Sequence, residues 1–259
     1  MCAEERYVAP YEALARIYDR VMSHVSYNRW LYFVLDLLQD HGLPPVSDEH
    51  SPSILECACG TGNFAGLLAM HGYHVEAFDG SPEMIEVARQ KLSGMDNPPI
   101  LKVIGFNSFE EQSRYDAVLC MYDSVNYLRD PKRMVDFFKR VSGSLKPSGL
   151  FLFDVCTEYN SLQHFNDVQE TFEEDEYWYT REMKYNEREK LQINRFTIRL
   201  DDRPGEEFQE EHVQKIYSER EVTNFINSVG LKVVETCSGL VRKPPDESAK
   251  RIHFLCKNK

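Results

Sequence analysis

The segment SILECACGTGNFAG, residues 53–66, decides the fold class. Its first five residues form a short apolar run typical of a buried strand, and the residues from Asn63 onward have the spacing of a helix. Gly60 and Gly62 lie between these elements, where a tight turn needs residues without a side chain. Such a turn presents backbone N–H groups and the positive end of a helix to a ligand. The segment therefore predicts a βα unit that binds a nucleotide or a carboxylate.

The same alternation of strand and helix continues after the glycine turn. HVEAFD (74–79) predicts a second strand, and SPEMIEVARQKL (81–92) predicts a helix with Ser81 as its N-cap. LKVIG, DAVLCM and LFLFDV predict three more strands, and LKVVETC and RIHFLCK complete the sheet. Alternating strands and helices imply right-handed crossovers and helices on both faces of the sheet. We therefore predict a Rossmann-like α/β fold with a central mixed sheet of about seven strands.

The segments outside this core have different patterns. PYEALARIYDRVM and YNRWLYFVLDLLQDHG each have helical spacing, so residues 1–52 are expected to form an amino-terminal helical cap. Residues 177–217 alternate apolar and polar side chains, as antiparallel strands with one wet face do. We assign residues 157–217 to an antiparallel β insertion over the active site. The core then comprises residues 53–156 and 218–259.

Composition excludes several classes of protein. The formal net charge of −12 and the acidic run from Glu170 to Glu176 make nucleic acid an unfavourable partner. The seven cysteines contain no C-x-x-C pair, so we expect neither a metal site nor a disulfide framework. No apolar run approaches the roughly 20 residues of a membrane span, and the acidic start MCAEERYVAP lacks the pattern of a secretion signal. These features predict a soluble, cytoplasmic protein.

Two acidic residues narrow the choice of ligand. Asp79 ends the second predicted strand, where an acid binds ribose hydroxyls in nucleotide-binding folds. Gly60, Gly62 and Ala65 also fit the dinucleotide pattern G-x-G-x-x-G/A. Glu56, however, is expected beneath the turn, where it would attract a cation and repel a pyrophosphate. S-adenosylmethionine carries an ammonium and a sulfonium group and no phosphate, so the acid favours it over a nicotinamide cofactor.

The sequence resembles a known family at these positions. LECACGTGNFA followed by VEAFDGSPEMIEVARQK is similar to the first two motifs of class I S-adenosylmethionine-dependent methyltransferases. The amino-terminal Y-x-x-L-A-x-x-Y-D, CMYDSVNYL after the fourth strand and E-H-x-Q-K-x-Y in the insertion resemble bacterial-type small-molecule methyltransferases. The cofactor turn is also similar to that of glycine N-methyltransferase. Two alternatives stay open: a non-catalytic cofactor-binding partner subunit and a nicotinamide-dependent oxidoreductase.

The resemblance implies a set of cofactor contacts. Residues 56–60 would hold the methionine part, Asp79 the ribose hydroxyls and Met84 the adenine. Gly105 stands where the family usually has an acid beside the adenine amino group, so we expect Phe106 and Asn107 to supply that contact instead. The full set of expected cofactor-binding residues is Tyr18, Trp30, Glu56, Ala58, Gly60, Asp79, Gly80, Met84, Phe106, Asn107 and Met121.

The resemblance also implies methyl transfer to a small molecule. Transfer from a sulfonium is an in-line displacement for which positioning and exclusion of water can suffice, so a catalytic base is optional. Tyr122, Asp123 and His212 are the catalytic candidates that we expect to face the substrate, and Asn126, Glu211 and Tyr217 are further possible contacts. We expect an acceptor that carries an amine or a carboxylate. The insertion could also form the contact of a homodimer.

Overall fold

The computed structural model describes residues 4–109 and 113–258 of the chain. The strands of this part are β1 (Glu4–Tyr7), β2 (Ser53–Cys57), β3 (His74–Asp79), β4 (Ile100–Val103), β5 (Tyr115–Cys120), β6 (Leu145–Cys156), β7 (Val168–Glu174), β8 (Tyr177–Asn186), β9 (Leu191–Leu200), β10 (Glu206–Lys215), β11 (Leu231–Ser238) and β12 (Arg251–Asn258). The helices are α1 (Tyr18–Val21), α2 (Tyr27–Asp40), α3 (Asn63–Met70), α4 (Pro82–Leu92), α5 (Pro131–Ser144), α6 (Glu158–His164) and α7 (Glu219–Ser228). In the described ranges no helix is both long and apolar enough to cross a membrane.

Seven of these strands form the larger sheet, in the order β11-β12-β6-β5-β2-β3-β4. The pairs β2–β3, β2–β5, β3–β4 and β5–β6 are parallel, whereas β12 is antiparallel to both β6 and β11. The predicted mixed, seven-stranded Rossmann-like sheet is therefore confirmed. The strand order reverses between β2 and β5, and ligands of such sheets bind at the carboxyl ends of the strands beside this point.

The larger sheet is covered by helices on both faces. Alternate residues of β2 point to opposite faces, as a strand with a period of two requires. Ile54 packs in the cluster that α2 and α3 form on one face, and Leu55 and Cys57 pack in the cluster of α5 and α7 on the other. Glu56 shares the register of Ile54. Its carboxylate is therefore directed to the α2 and α3 side of the sheet, at the end where the glycine turn begins.

The smaller sheet contains most of the predicted insertion, in the order β1-β10-β9-β8-β7. Strands β7 to β10 form an antiparallel meander, and β1 pairs parallel to β10. The acidic run from Glu170 to Glu176 overlaps β7, an edge strand that we did not predict. Charged side chains on an exposed edge oppose pairing with another chain. Protection of this sheet edge therefore explains the acidic run without a bound ligand.

The amino-terminal segment differs from the helix predicted over PYEALARIYDRVM. It contains only a 3₁₀ turn over Leu14–Arg16 and the four-residue α1, and Tyr11 has a left-handed φ of 68°. The cause is Glu210 on β10, because its carboxylate accepts the backbone N–H groups of Tyr11, Ala13 and Leu14 at 2.8, 2.6 and 2.8 Å. These bonds fix the start of the segment in a turn, where a longer helix would begin.

Substitution of Gly62 tests whether the glycine turn requires a residue without a side chain. Its φ is 75°, and an added Cβ would lie 2.9 Å from a methyl carbon of Leu92 and 3.1 Å from Cβ of Ala88, both on α4. We expect Gly62→Ala to lower the free energy of unfolding by about 2 to 4 kcal/mol, because backbone strain and overpacking add. Gly94→Ala is the matched control, since no atom lies within 4 Å of its Cβ position. Urea denaturation should show little change for the control, and equal midpoints for the two variants would contradict the prediction.

Candidate active site

The glycine turn forms one wall of a cavity of about 300 Å³ at the carboxyl edge of the larger sheet. Ala58, Gly60 and Gly62 all have left-handed φ values, 55°, 55° and 75°. These conformations turn the chain sharply and allow its backbone to approach a ligand closely. A Cβ added to Gly60 would have Met84 and Tyr18 as its nearest neighbours, both at 4.0 Å. The space above Gly60 is therefore open and flanked by these two side chains.

Asp79 ends β3 and connects the glycine turn to the next helix. Its Oδ2 accepts the backbone N–H of Gly60 at 2.9 Å, and its Oδ1 accepts that of Ser81 at 2.9 Å. Burial raises the pKa of this carboxyl, and the backbone hydrogen bonds oppose the rise. Asp79 also lines the cavity. Each carboxylate oxygen has a second lone pair free for a hydroxyl group of a ligand.

Glu56 has a buried carboxylate oxygen without a partner. Its side chain lines the cavity, the residue is 4% exposed, and Oε2 has no hydrogen-bond donor within reach. Burial, with a smaller contribution from nearby Asp79, raises its pKa to about 8. An unpaired buried carboxylate is costly unless a donor or a cation satisfies it. The oxygen therefore indicates where a positively charged group of a ligand would bind.

The other end of the cavity is lined mostly by apolar side chains. Met84, Phe106 and Met121 all contribute to it, and Gly80 lies in the same wall. Asn107 does not line the cavity: its Oδ1 is buried without a partner, and its Nδ2 donates to the carbonyl of Arg133 at 3.5 Å. The contact predicted for Asn107 would therefore need a change of its side-chain orientation.

Aromatic side chains enclose the cavity above the turn. Tyr18 and Trp30 both line it, as the resemblance implies. Trp30 stacks on Tyr122 with ring centroids 4.5 Å apart, and the Arg251 guanidinium lies 5.2 Å from the centroid of the Tyr122 ring. Desolvation by burial raises the pKa of Tyr122. Tyr122 is thus the catalytic candidate that the structure places in the cavity wall.

A buried ion cluster holds Tyr122 in place. Asp154 accepts the backbone N–H groups of Tyr122 and Asp123 at 2.7 and 2.8 Å, and both residues have left-handed φ values, 64° and 48°. Arg251 binds Asp154 and lies 2.7 Å from Oδ1 of Asp123. Gln214 donates to Oδ2 of Asp123 at 2.8 Å. The Asp123 carboxylate is therefore engaged behind the cavity wall and does not line the cavity.

The remaining polar candidates also have internal partners. His212 does not line the cavity and contacts Tyr127 and Glu210. Asn126 bridges the backbone of β10 and β6, and Tyr217 donates to the carbonyl of Leu128 at 2.8 Å. Glu211 pairs with a surface arginine. The contacts of His212, Asn126 and Tyr217 therefore connect the insertion to the core, whereas the pair that Glu211 forms lies within the insertion.

Three tyrosines that line the cavity were not predicted from the sequence: Tyr11, Tyr27 and Tyr127. Tyr11 was assigned to a helical face, and Tyr127 stands in the CMYDSVNYL motif without a predicted role. Their only signal is the concentration of tyrosine in the segments flanking the sheet edge. Tyr11 and Tyr127 form hydrogen bonds with Glu210 and His212 of the smaller sheet, and no local sequence pattern reveals these contacts.

Comparison with known proteins agrees with this geometry. A family model described as a methyltransferase domain matches residues 54–149. Over 252 residues the chain is 29% identical to a candidate methyltransferase of Geobacillus sp. (strain WCH70), with 95% of this chain and 99% of that protein covered. The crystal structure of an S-adenosylmethionine-dependent methyltransferase from Clostridium acetobutylicum ATCC 824 has a TM-score of 0.81 and 25% identity, over 96% of this chain and 98% of that one.

The fold, the turn and these matches define an S-adenosylmethionine-dependent methyltransferase. These matches confirm the predicted resemblance to class I of that family, the predicted enzyme class and the predicted cofactor. A second relative, the candidate methyltransferase YqeM of Bacillus subtilis (strain 168), is 27% identical over 252 residues, which cover 94% of this chain and 95% of that protein. The likeness therefore extends over the insertion as well as the core.

The cavity fits the cofactor in charge and in shape. The unpaired Oε2 of Glu56 suits the ammonium group, and the open space above Gly60 admits the methionine chain. The cofactor supplies an activated methyl group when bound. The chain's own contribution is to position it and to exclude water, because aromatic rings surround the cavity above the turn.

Proposed function

We propose that the enzyme transfers the methyl group of S-adenosylmethionine to a small-molecule amine. The observation that carries this proposal is the charge of the cavity lining. Among the described residues that line it, Glu56, Asp79 and Glu83 are acidic, and none is a lysine, an arginine or a histidine. Glu56 and Asp79 are assigned to the cofactor, so the acceptor meets Glu83 and a lining without a cation to hold a carboxylate, which favours an amine. The aromatic rings of the wall also favour a cationic group.

The size of the cavity supports a small acceptor. A volume of about 300 Å³ lies at the lower end of the range for small-molecule sites and leaves little room for a macromolecular segment beside the cofactor. A glycine/sarcosine N-methyltransferase of Halorhodospira halochloris is 27% identical over 46% of this chain. We also propose that the enzyme forms a homodimer through the smaller sheet. The proposed cofactor contacts are those of Tyr18, Trp30, Glu56, Asp79 and Met84.

Calorimetry followed by an acceptor screen tests this function. S-adenosylmethionine and S-adenosylhomocysteine should bind with micromolar affinity, and NAD should not. Primary and secondary amines, such as glycine, sarcosine and ethanolamine, should then yield S-adenosylhomocysteine, whereas matched acids without nitrogen, such as acetate and glycolate, should not. Turnover of the acids alone would refute the amine proposal, and a preference for NAD would refute the cofactor contacts.

Glu56 predicts a proton release that accompanies cofactor binding. With its pKa raised to about 8, the free carboxyl is mostly protonated at pH 7 and ionises when a cation binds beside it. At pH 7 the wild type should release nearly one proton more than Glu56→Gln when S-adenosylhomocysteine binds. The difference should vanish near pH 9.5, where the free carboxylate is already ionised.

Calorimetry in buffers of different ionisation enthalpy measures this release. The ligand's own amino group titrates in both proteins, so the difference between them reports Glu56. Glu76→Gln is the matched control on β3, because its carboxylate contacts Lys102 at 2.9 Å and its pKa is lowered. The control should release as many protons as the wild type. Equal release by the wild type and Glu56→Gln at pH 7 would show that Glu56 does not face the cation.

A further inference from the structure

A continuous hydrogen-bonded chain leads from the cavity into the smaller sheet. The hydroxyl oxygens of Tyr11 and Tyr127 are 2.6 Å apart, and both residues line the cavity. The Tyr127 hydroxyl lies 3.0 Å from Nδ1 of His212, and Nε2 of His212 lies 3.0 Å from Oε2 of Glu210. His212 and Glu210 are each 2% exposed, so water does not compete for these bonds. We call Tyr11, Tyr127, His212 and Glu210 the relay.

The direction of the relay follows from Glu210. This carboxylate already accepts three backbone N–H groups, from Tyr11, Ala13 and Leu14. A carboxylate oxygen accepts hydrogen bonds, so Nε2 of His212 is the donor of the pair that it forms with Glu210. In the neutral ring Nδ1 is then an acceptor, and Tyr127 donates to it. Tyr127 in turn accepts from Tyr11, which leaves a lone pair on the Tyr11 oxygen for a donor in the cavity.

Glu210 also sets the position of the first residue of the relay. Tyr11 has a left-handed φ of 68°, and the carboxylate binds its N–H directly. A strained residue of this kind persists only where the surrounding structure holds it, and such residues concentrate at functional sites. The Tyr11 ring also packs edge-on against His212, with centroids 4.6 Å apart. One carboxylate thus fixes both the tautomer of the imidazole and the tyrosine at the cavity.

We propose that the relay removes the proton that the acceptor nitrogen loses during methylation. The acceptor reacts as the uncharged amine: its nitrogen lone pair forms the bond to the methyl carbon while the carbon–sulfur bond breaks and its electron pair stays on sulfur, which leaves a positive charge on the methylated nitrogen. An N–H proton of the acceptor then moves to the Tyr11 oxygen, the Tyr11 proton to Tyr127, and the Tyr127 proton to Nδ1 of His212. The resulting imidazolium lies beside the Glu210 carboxylate, and reversal of the transfers after product release returns the proton to solvent. This inference rests on the proposed amine acceptor.

Other charged groups act on the relay from neighbouring elements. Asp79 and Asp123 interact electrostatically with Tyr11, and Asp123 and Arg181 interact electrostatically with Tyr127. Desolvation raises the pKa values of both tyrosines, so neither is ionised at neutral pH. A neutral tyrosine passes a proton on only if it receives one at the same time. His212 is therefore the group in which the proton can stay.

Nitrogen NMR of the S-adenosylhomocysteine complex tests the direction of the relay. In protein labelled with ¹⁵N-histidine, the signals absent from His212→Gln identify this residue. At pH 7.5 we expect Nε2 to be protonated and Nδ1 to be an unprotonated acceptor. Tyr127→Phe should move the Nδ1 signal toward that of a free nitrogen, and Tyr11→Phe should move it less. Tyr217→Phe, which removes a buried hydroxyl outside the relay, should leave it unchanged. A protonated Nδ1 would overturn the proposal.

Turnover provides an independent readout. With the amine that is methylated fastest in the acceptor screen, Tyr11→Phe and Tyr127→Phe should lower kcat about 100-fold and leave the KM for S-adenosylmethionine unchanged. Tyr217→Phe should retain the wild-type kcat. Unchanged kcat in both relay variants would overturn the proposal even if the NMR result agrees with it. If no amine is methylated, the amine proposal fails, and the NMR experiment still decides the direction of the relay.

Discussion

Asp79→Ala is expected to lose at least about 100-fold in affinity for S-adenosylhomocysteine, because the proposed contact gives the ribose two hydrogen bonds to a charged acceptor and the variant removes both. The variant also loses the acceptor for the backbone N–H groups of Gly60 and Ser81, which fix the glycine turn. The free energy of unfolding should fall by about 1 to 3 kcal/mol, since these donors lose their partner. Calorimetry and thermal unfolding measure the two effects separately.

Asp116→Ala is the matched control for this variant. Asp116 lies near the start of β5, at the opposite end of the sheet, and accepts the backbone N–H of Ser53 at 2.8 Å and Lys146 Nζ at 2.7 Å. We expect a similar loss of stability with full cofactor affinity. If Asp79→Ala binds as tightly as Asp116→Ala, Asp79 does not contact the ribose, and the cofactor lies elsewhere in the cavity.

Arg251→Met should produce the largest loss of stability, about 3 to 5 kcal/mol, because it leaves the carboxylates of Asp154 and Asp123 buried without their cation. Asp154 is fully buried, so water cannot replace the guanidinium. The left-handed backbone at Tyr122 would also lose part of its support. Guanidinium denaturation of the variant and the wild type measures the difference.

Arg242→Met is the control, since Arg242 pairs with Asp40 and Glu235 at the protein surface, where solvent screens ion pairs. We expect Arg242→Met to lower the free energy of unfolding by at most about 1 kcal/mol. Adding Asp123→Asn to Arg251→Met should recover part of the lost stability, because one uncompensated charge is removed. Equal losses in Arg251→Met and Arg242→Met would mean that the buried cluster does not stabilise the fold.

Local patterns sufficed to predict the larger sheet. The strands SILEC and HVEAFD coincide with β2 and β3, and Ser81 caps α4 by accepting the N–H of Met84 at 3.0 Å. Ser218 and Glu221, three positions apart, form a capping box at the start of α7. Each of these features depends on residues a few positions apart, so the sequence contains the whole signal.

The parts that could not be predicted depend on distant contacts. The turn at Tyr11 is imposed by Glu210, which is 199 positions away in the chain. Asp123 was expected to face the substrate because it follows a strand that ends at the site, and His212 because it lies in the insertion predicted over the active site. In the structure the Asp123 carboxylate contacts Arg251 and Gln214. The His212 ring contacts Tyr127 and Glu210. Residue type indicated the neighbourhood of these side chains, but the direction in which they point follows from tertiary packing.

The parallel pairing of β1 with β10 has a consequence for biosynthesis. The ribosome makes Glu4–Tyr7 about 200 residues before its pairing partner, Glu206–Lys215. Closing so long a loop is slow, because the entropy is lost before the contacts form. The seven-stranded sheet has its first parallel strands long before that moment. We therefore expect the nascent enzyme to form its glycine turn early and its enclosed cavity late. The pairing of β1 with β10 is then the step that completes the cavity.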